Sequence, residues 1–415
     1  PTSWRQRSES NWGRLGMKCE NRIQPLRELA DIQTGPFGSQ LHKEDYVEIG
    51  TPIVTVEHLG NRTFTEQNLP KVSDNDKERL KKYILSTGDI VFSRVGSVDR
   101  CSYVDKRHNG WMFSGRCLRV RPTQDIDSLY LYYYFCLEST RQFVRNIAVG
   151  ATMPSINTKL LGEVPINVPD MLAQKKISGI LSSIDDKIEL NNKINANLQQ
   201  QAMAIFKSWF LDYEPWNGNK PCKWIDAPLG SFIEIKRGGS PRPIQNYLSD
   251  TGLRWLKISD VTSLGSPYIL EIKEHIKPEG LRKTVHLNAG ELVLSNSATP
   301  GIPKFLDVDS CIHDGWLYFP KSQFSKYWLY LFFKHVRQEL ISLGNGSVFT
   351  NLKTDILKNF PVTKADEATL AEFEKLIQPL FETMLNTDRE NARLSDLRNN
   401  LLPRLISGEI DIEDI

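Results

Sequence analysis

One property of this chain limits its folds more than any other: it contains itself twice. Pro25-Leu26-Arg27-Glu28-Leu29-Ala30-Asp31-Ile32 is echoed by Pro228-Leu229-Gly230-Ser231-Phe232-Ile233-Glu234-Ile235. A glycine-rich turn follows each, at Gly35-Pro36-Phe37-Gly38-Ser39 and at Arg237-Gly238-Gly239-Ser240-Pro241. Pro52–Val56 then parallels Leu253–Ile258, and Leu85–Ser93 parallels Leu287–Ser295. Finally, Gly150–Asn157 matches Gly346–Leu352, and Val164-Pro165-Ile166 matches Phe360-Pro361-Val362. The matches keep their order at a separation of about 200 residues, far too long for a solenoid repeat. Two copies of one whole domain are expected.

Each copy closes on a long helical pattern. Apolar or small residues fall at 177, 181, 184, 188, 198, 202, 205 and 209, a 4-3 alternation with Asn191 and Asn195 in the middle. A period of 3.5 residues is that of a coiled coil. The second pattern has Phe373, Ile377, Leu380 and Met384, then polar residues, then Leu394, Leu397, Leu401 and Leu405. Two such seams in one chain most simply pair with each other. The expected fold is mixed α/β (α+β): two similar globules separated by two long antiparallel helices forming a coiled-coil spacer, a pseudo-twofold repeat. The segments are 1–20, a terminal stretch; 21–170 and 213–365, the globules; 171–212 and 366–415, the helical regions. Within the globules, Leu129–Phe143 and Tyr327–Ile341 read as buried aromatic helices.

Charge follows the same division. The whole chain carries a formal +2. Counted by segment, this is +3 over 1–170, +1 over 171–212, +5 over 213–365 and −7 over 366–415. Two basic globules therefore share a chain with an acidic end. Several function classes find no support. No run of 18 apolar residues is present, so no membrane span is expected. The opening residues lack the apolar stretch of a secretory signal. The six cysteines form no C-x-x-C pair and the seven histidines no close pair, so no metal site is expected. There is no phosphate-binding G-x-x-x-x-G-K-[ST] loop, no G-x-S-x-G elbow, and no Pro-Pro for an amino-methyltransferase loop. A binding protein fits better than the alternative, a single-chain restriction, methylation or nuclease enzyme with its own active site.

Basic residues recur beside the glycine turns in both copies, which points to an elongated polyanion. Glycine lets a backbone approach a phosphate closely, and Arg can also read guanine. Candidate DNA-binding residues are Gly38, Ser39, Ser93, Arg94, Arg100, Gly150 and Thr152 in the first copy. In the second they are Arg237, Gly239, Ser240, Arg242, Ser295, Asn296, Gly346 and Ser347. No catalytic or metal-binding residue is expected.

The repeat, the turns at 35–39 and 150–156, Gly88-Asp89-Ile90-Val91-Phe92-Ser93-Arg94 and Ile184–Asn191 resemble the specificity subunit of type I restriction–modification systems. So do Phe206-Lys207-Ser208-Trp209-Phe210 and Leu401–Ile410 at the helix ends. The resemblance spans about residues 25–412. It implies two target recognition domains reading a bipartite double-stranded DNA site, one half each. It implies two methyltransferase subunits as partners, and restriction subunits through them. S-adenosylmethionine, ATP and Mg²⁺ would belong to those partners, with no cofactor on this chain. The helical regions would be the docking surface, with Ile184, Ile188, Asn191, Asn195, Phe206, Trp209, Leu394, Leu401 and Leu405 as candidates. It also implies a prokaryotic, cytoplasmic protein held at the nucleoid by DNA, with no membrane association.

Overall fold

A computed structural model describes residues 22–262, 264–343 and 352–411. The terminal stretch 1–20, Gly346 and Ser347 lie outside these, and the side chain of Ser39 is not described. The chain divides into two compact units. One holds the residues up to Lys187 together with those from Leu394 onward, and the other holds Ile188–Arg393. The division falls inside both long helices, so the first unit is built from both ends of the chain.

The two units have the same plan. In the first, Arg22–Pro25 pairs antiparallel with Pro165–Val168; in the second, Ile225–Pro228 pairs antiparallel with Pro361–Lys364. Even the proline registers agree, Pro25 opposite Pro165 and Pro228 opposite Pro361. Each unit then forms one larger sheet. In the first its order is Ala30–Thr34, Cys117–Pro122, Ile90–Ser93, Cys101–Tyr103. The second repeats it as Ile233–Arg237, Trp316–Ser322, Leu292–Ser295, Pro303–Leu306, and adds Tyr268–Ile269 at the edge. A second sheet follows the same rule. Tyr46–Val47, Lys71–Val72, Thr51–Val54 and Met112–Phe113 correspond to Leu248–Ser249, His275–Ile276, Leu253–Leu256 and Ser310–Ile312. In both, the last two of these strands run parallel, and the second unit adds Val285–Leu287 antiparallel to Ser310–Ile312 at the edge.

The central strands Ile90–Ser93 and Leu292–Ser295 are buried along their whole length. Continuous burial on both faces explains why they read as unbroken apolar runs rather than alternating ones. Each is entered through a glycine with positive φ, Gly88 at 96° and Gly290 at 93°, where a side chain would be strained. The aromatic segments lie under these sheets. Lys326–Leu343 is one helix, as expected. The first-copy segment is two helices, Ser128–Cys136 and Glu138–Ile147, because Leu137 takes an extended conformation. The aromatic side chains are core: Tyr130, Tyr133, Phe135, Trp328 and Phe333 are fully buried.

The long helices are Met171–Phe210 and Glu367–Ser407. Each is capped at its start by an aspartate. Asp170 accepts from the Ala173 amide at 2.9 Å and Asp366 from the Thr369 amide at 3.1 Å. In the first unit Ile177 and Leu181 pack with Leu402, Leu405 and Ile406. In the second, Phe206 and Phe210 join Phe373, Ile377 and Phe381. The Phe210 and Phe373 rings meet edge to face at 4.8 Å, and truncating either to Ala should cost about 3–5 kcal/mol.

The expected seam is present but drifts. Beyond Ala202 the buried positions are Phe206 and Phe210, not 205 and 209, and Phe381 replaces Leu380. A straight helix turns more slowly per residue than a 3.5 repeat, so the buried stripe moves to later residues, and the large rings follow the globule beside them. The mid-seam asparagines donate across to the facing helix. Asn191 Nδ2 reaches Glu390 Oε2 at 2.8 Å and Asn391 Oδ1 at 2.9 Å. Asn195 Nδ2 reaches Asp388 Oδ1 at 2.7 Å. These bonds, with contacts such as Arg398–Asp185, set the two helices antiparallel within each unit.

Candidate nucleic-acid interface

Sheet order decides which turns meet. Ala30–Thr34 and Ile90–Ser93 both run antiparallel to Cys117–Pro122, so the turns after Thr34 and Ser93 and before Cys117 share one edge. Gly35 N donates to Cys117 O at 3.2 Å and Arg94 N to Arg116 O at 2.8 Å. The segment 149–156 joins them: Ile156 N donates to Arg94 O at 2.9 Å and Gly96 N to Pro154 O at 2.8 Å. The four turns are packed tightly. A Cβ on Gly35 would lie 2.2 Å from the Ser114 carbonyl oxygen, which no side chain tolerates.

The second unit repeats this edge. Gly238 N donates to Trp316 O at 2.9 Å, Asn296 N to Gly315 O at 2.8 Å, and Leu352 N to Asn296 O at 2.8 Å. A Cβ on Gly238 would lie 2.2 Å from the His313 carbonyl oxygen. Far-apart pieces of sequence are thus brought together, and in corresponding places.

The individual candidates fare differently. Gly38, Gly150 and Thr152 are exposed, with φ of 61° at Gly38 and 109° at Gly150. Val149 and Ser155 hydrogen-bond each other in both directions and raise Gly150–Thr152 as a tip. Arg94 donates to Gly115 O at 3.1 Å and stands 5.7 Å over the exposed Phe37 ring. Arg116, exposed beside it, is a basic group that was not among the candidates.

Three expectations need correction. Ser93 and Ser295 are buried, and their hydroxyls donate to Val95 O at 2.8 Å and Thr299 O at 2.6 Å. They shape their own turns and present nothing to a ligand. Arg100 is exposed, and one of its guanidinium nitrogens donates to Leu59 O. Asn296 is buried, and it serves the edge through its backbone.

In the second unit Asp314 gathers the basic turn. Ser240 Oγ donates to Asp314 Oδ1 at 2.6 Å, Arg242 lies 3.2 Å from Oδ2, and Arg237 Nε donates to the Asp314 carbonyl oxygen. The Ser240 hydroxyl, with nearby Arg237, holds the Asp314 carboxyl below its usual range. Gly239 lies against the Lys283 carbonyl, where a Cβ would come within 2.9 Å. Next to this turn opens a cleft of about 770 Å³ lined by Arg242, Ile244, Trp255, Lys257, Ser297 and His313. Lys257, His313 and Asp314 were missed because no motif marks them. Their only signal is register: His313-Asp314-Gly315 stands where the first copy has Ser114-Gly115-Arg116.

Comparison with known proteins agrees with this geometry. A family model described as the type I restriction modification DNA specificity domain matches residues 20–200. The MjaIX specificity subunit of Methanocaldococcus jannaschii, a type I restriction enzyme component, is 26% identical, covering 95% of this chain and 94% of that protein. The HindI specificity subunit of Haemophilus influenzae is 24% identical over 84% of this chain and 92% of that protein. Over most of its length the chain is similar to type I restriction enzyme specificity subunits. Its fold matches the crystal structure of such a subunit from M. genitalium, with a TM-score of 0.60 at 15% identity, covering 94% of this chain and 97% of that one.

The docking candidates on the helices also need correction. Ile184, Asn191, Asn195, Phe206 and Leu405 are buried within their own units, and Ile188, Trp209, Leu394 and Leu401 are half-buried there. Trp209 packs on Trp216, ring centroids 5.9 Å apart. These side chains hold the helices to this chain. Leu190 and Ile194, one turn apart, are 52% and 39% exposed and face outward instead. Among the described residues no helix is long and apolar enough to cross a membrane. No cluster of metal-binding residues occurs among them either.

Proposed function

We propose that each unit reads one half of a bipartite double-stranded DNA site, and that this chain selects the sequence on which partner subunits act. The observation that carries this reading is the pair of corresponding edges. In each unit three glycine-bearing turns meet, joined by Ile156 in the first and Leu352 in the second, in the same hydrogen-bond pattern and with different side chains on them. A shared frame with divergent contacts is what reading two different half-sites requires. In the first unit Arg94, Arg116 and the Gly150–Thr152 tip are the contacts. In the second they are Arg242, Lys257 and the cleft beside them. Basic groups set the protein on phosphates, and a few side chains read base edges.

The chemistry belongs to partners under this reading. Two methyltransferase subunits with S-adenosylmethionine would modify adenine at N6, and restriction subunits with ATP and Mg²⁺ would cleave. Outward helix residues such as Leu190 and Ile194 are better placed to dock them than the buried seam. The site of action would be the prokaryotic cytoplasm.

The test is to express the chain with its methyltransferase subunits in a host lacking other adenine methylation and sequence the modified bases. A bipartite motif is expected. Methylation without sequence preference, or methylation by this chain alone, would refute the proposal.

A further inference from the structure

We infer that His313 is a base-reading residue of the second unit, donating a hydrogen bond from Nε2 to an acceptor on a base edge. This rests on the DNA-reading proposal above and adds to it a named atom with a fixed polarity.

His313 begins the turn between Ser310–Ile312 and Trp316–Ser322, on the edge where the glycine turns meet. Its Nδ1 accepts a hydrogen bond from the Gly315 amide at 2.8 Å. A ring nitrogen that accepts carries no proton, so the neutral ring holds its proton on Nε2. Asp314 Oδ1 lies 3.8 Å from the same Nδ1, beyond hydrogen-bond reach, and is already engaged by Ser240. Burial lowers the tendency of the ring to take a second proton.

The orientation is set as firmly as the tautomer. The ring lies near two indoles, 5.9 Å from Trp255 and 6.4 Å from Trp316. Position 315 must be glycine for this arrangement. A Cβ there would strike His313 Cε1 at 2.2 Å and Ser297 Oγ at 2.5 Å. The side chain nonetheless remains 20% exposed and lines the same cleft as Arg242 and Lys257. The cations that share the cleft suit phosphates, while the neutral donor suits a base.

A donor with no acceptor capacity discriminates. In the major groove it matches purine N7, guanine O6 or thymine O4, and it meets the amino groups of adenine and cytosine unfavourably. The first unit has Ser114 at this place, since the Ser114 carbonyl faces Gly35 as the His313 carbonyl faces Gly238. Ser114 is buried and its hydroxyl turns inward to Cys117 Sγ at 3.7 Å. The two units therefore differ where one of them has a free reading atom.

Two substitutions separate reading from folding. His313→Asn keeps an acceptor for the Gly315 amide and removes the Nε2 donor; His313→Gln restores an N–H near that position. Each is expressed with the methyltransferase subunits, and the modified bases are sequenced. With H313N, one position in one half-site should relax by about 5- to 150-fold, the discrimination carried by a good base contact. The other half-site and the spacer should stay unchanged, and H313Q should recover part of the preference. The affected half-site should be the one disturbed by Gly238→Ala. An unchanged motif with H313N overturns the inference, as does equal weakening on every sequence, which marks a phosphate contact. A wild-type chain that yields no motif refutes the DNA-reading proposal, and the inference with it.

Discussion

Removing the guanidinium of Arg398 should loosen the first unit by a measurable amount. Asp185 is 6% exposed and receives two hydrogen bonds, from Arg398 Nη1 at 2.6 Å and from the Tyr133 hydroxyl at 2.7 Å. These three residues join the first long helix, the second long helix and the aromatic helix of the first unit. Arg398→Met keeps the aliphatic stem and leaves the carboxylate buried without a counter-charge. Breaking a buried pair costs about 3–5 kcal/mol. Arg398 keeps 28% of its side chain exposed, so solvent screening lowers the figure to about 2–3 kcal/mol. Local opening of residues 171–187 and 394–407 should then become roughly 30- to 150-fold more frequent. Hydrogen exchange followed by mass spectrometry resolves these segments. The double variant Asp185→Leu with Arg398→Met should regain most of the protection, because no charge is left stranded. An increase below threefold in R398M, or a double variant worse than the single, would refute the account.

Three further outcomes follow from the geometry. Gly35→Ala and Gly238→Ala each force a Cβ to 2.2 Å from a backbone oxygen, at a cost of about 1–3 kcal/mol. Each should disturb a different half-site in the methylation motif, and effects on the same half would break the one-unit, one-half assignment. Lys304 is buried, donates to Leu264 O at 2.6 Å, and has its ammonium pushed down to about 8 by burial. Its folded value lies below the unfolded ~10.4, so the folded state binds fewer protons between them and stability gains from this group as pH rises from about 8 to about 10. The wild-type minus Lys304→Met difference in urea midpoint should rise over that range, and a flat difference would contradict it. Inserting one heptad after Lys187 and one after Arg393, where the units divide within the helices, should change the spacer length in the motif; an unaltered spacer would exclude the helices as its determinant.

Much of this was legible in the sequence because the repeat carries topology. Pro25 and Pro228 marked the same strand pair, and Gly88 and Gly290 the same strand entry. Aspartates 170 and 366 mark the same helix start, which the apolar pattern alone only approximated. The site was less legible. Ser93 and Ser295 sit at strand ends beside the right turns, yet their hydroxyls are spent on local carbonyls. Sequence gives position along a strand but not the partner of a hydroxyl. His313 was invisible for the opposite reason: its role depends on the Gly315 amide and two tryptophans folded around it. The helix seam was correctly placed at first and then misread, because a heptad pattern shows which side chains are buried but not which protein buries them.

The first unit contains residues from both ends of the chain, and this has a consequence for its birth on the ribosome. Ile177 and Leu181 emerge early, but their partners Leu402, Leu405 and Ile406 are made only after the whole of the second unit. At 5–20 residues per second, the intervening 188–393 stretch takes roughly 10–40 s to synthesise. Throughout that interval the first unit waits with an apolar groove uncovered while the second can close on its own residues. The domain that starts first therefore finishes last, and the nascent chain must be kept from sticking until its own tail arrives.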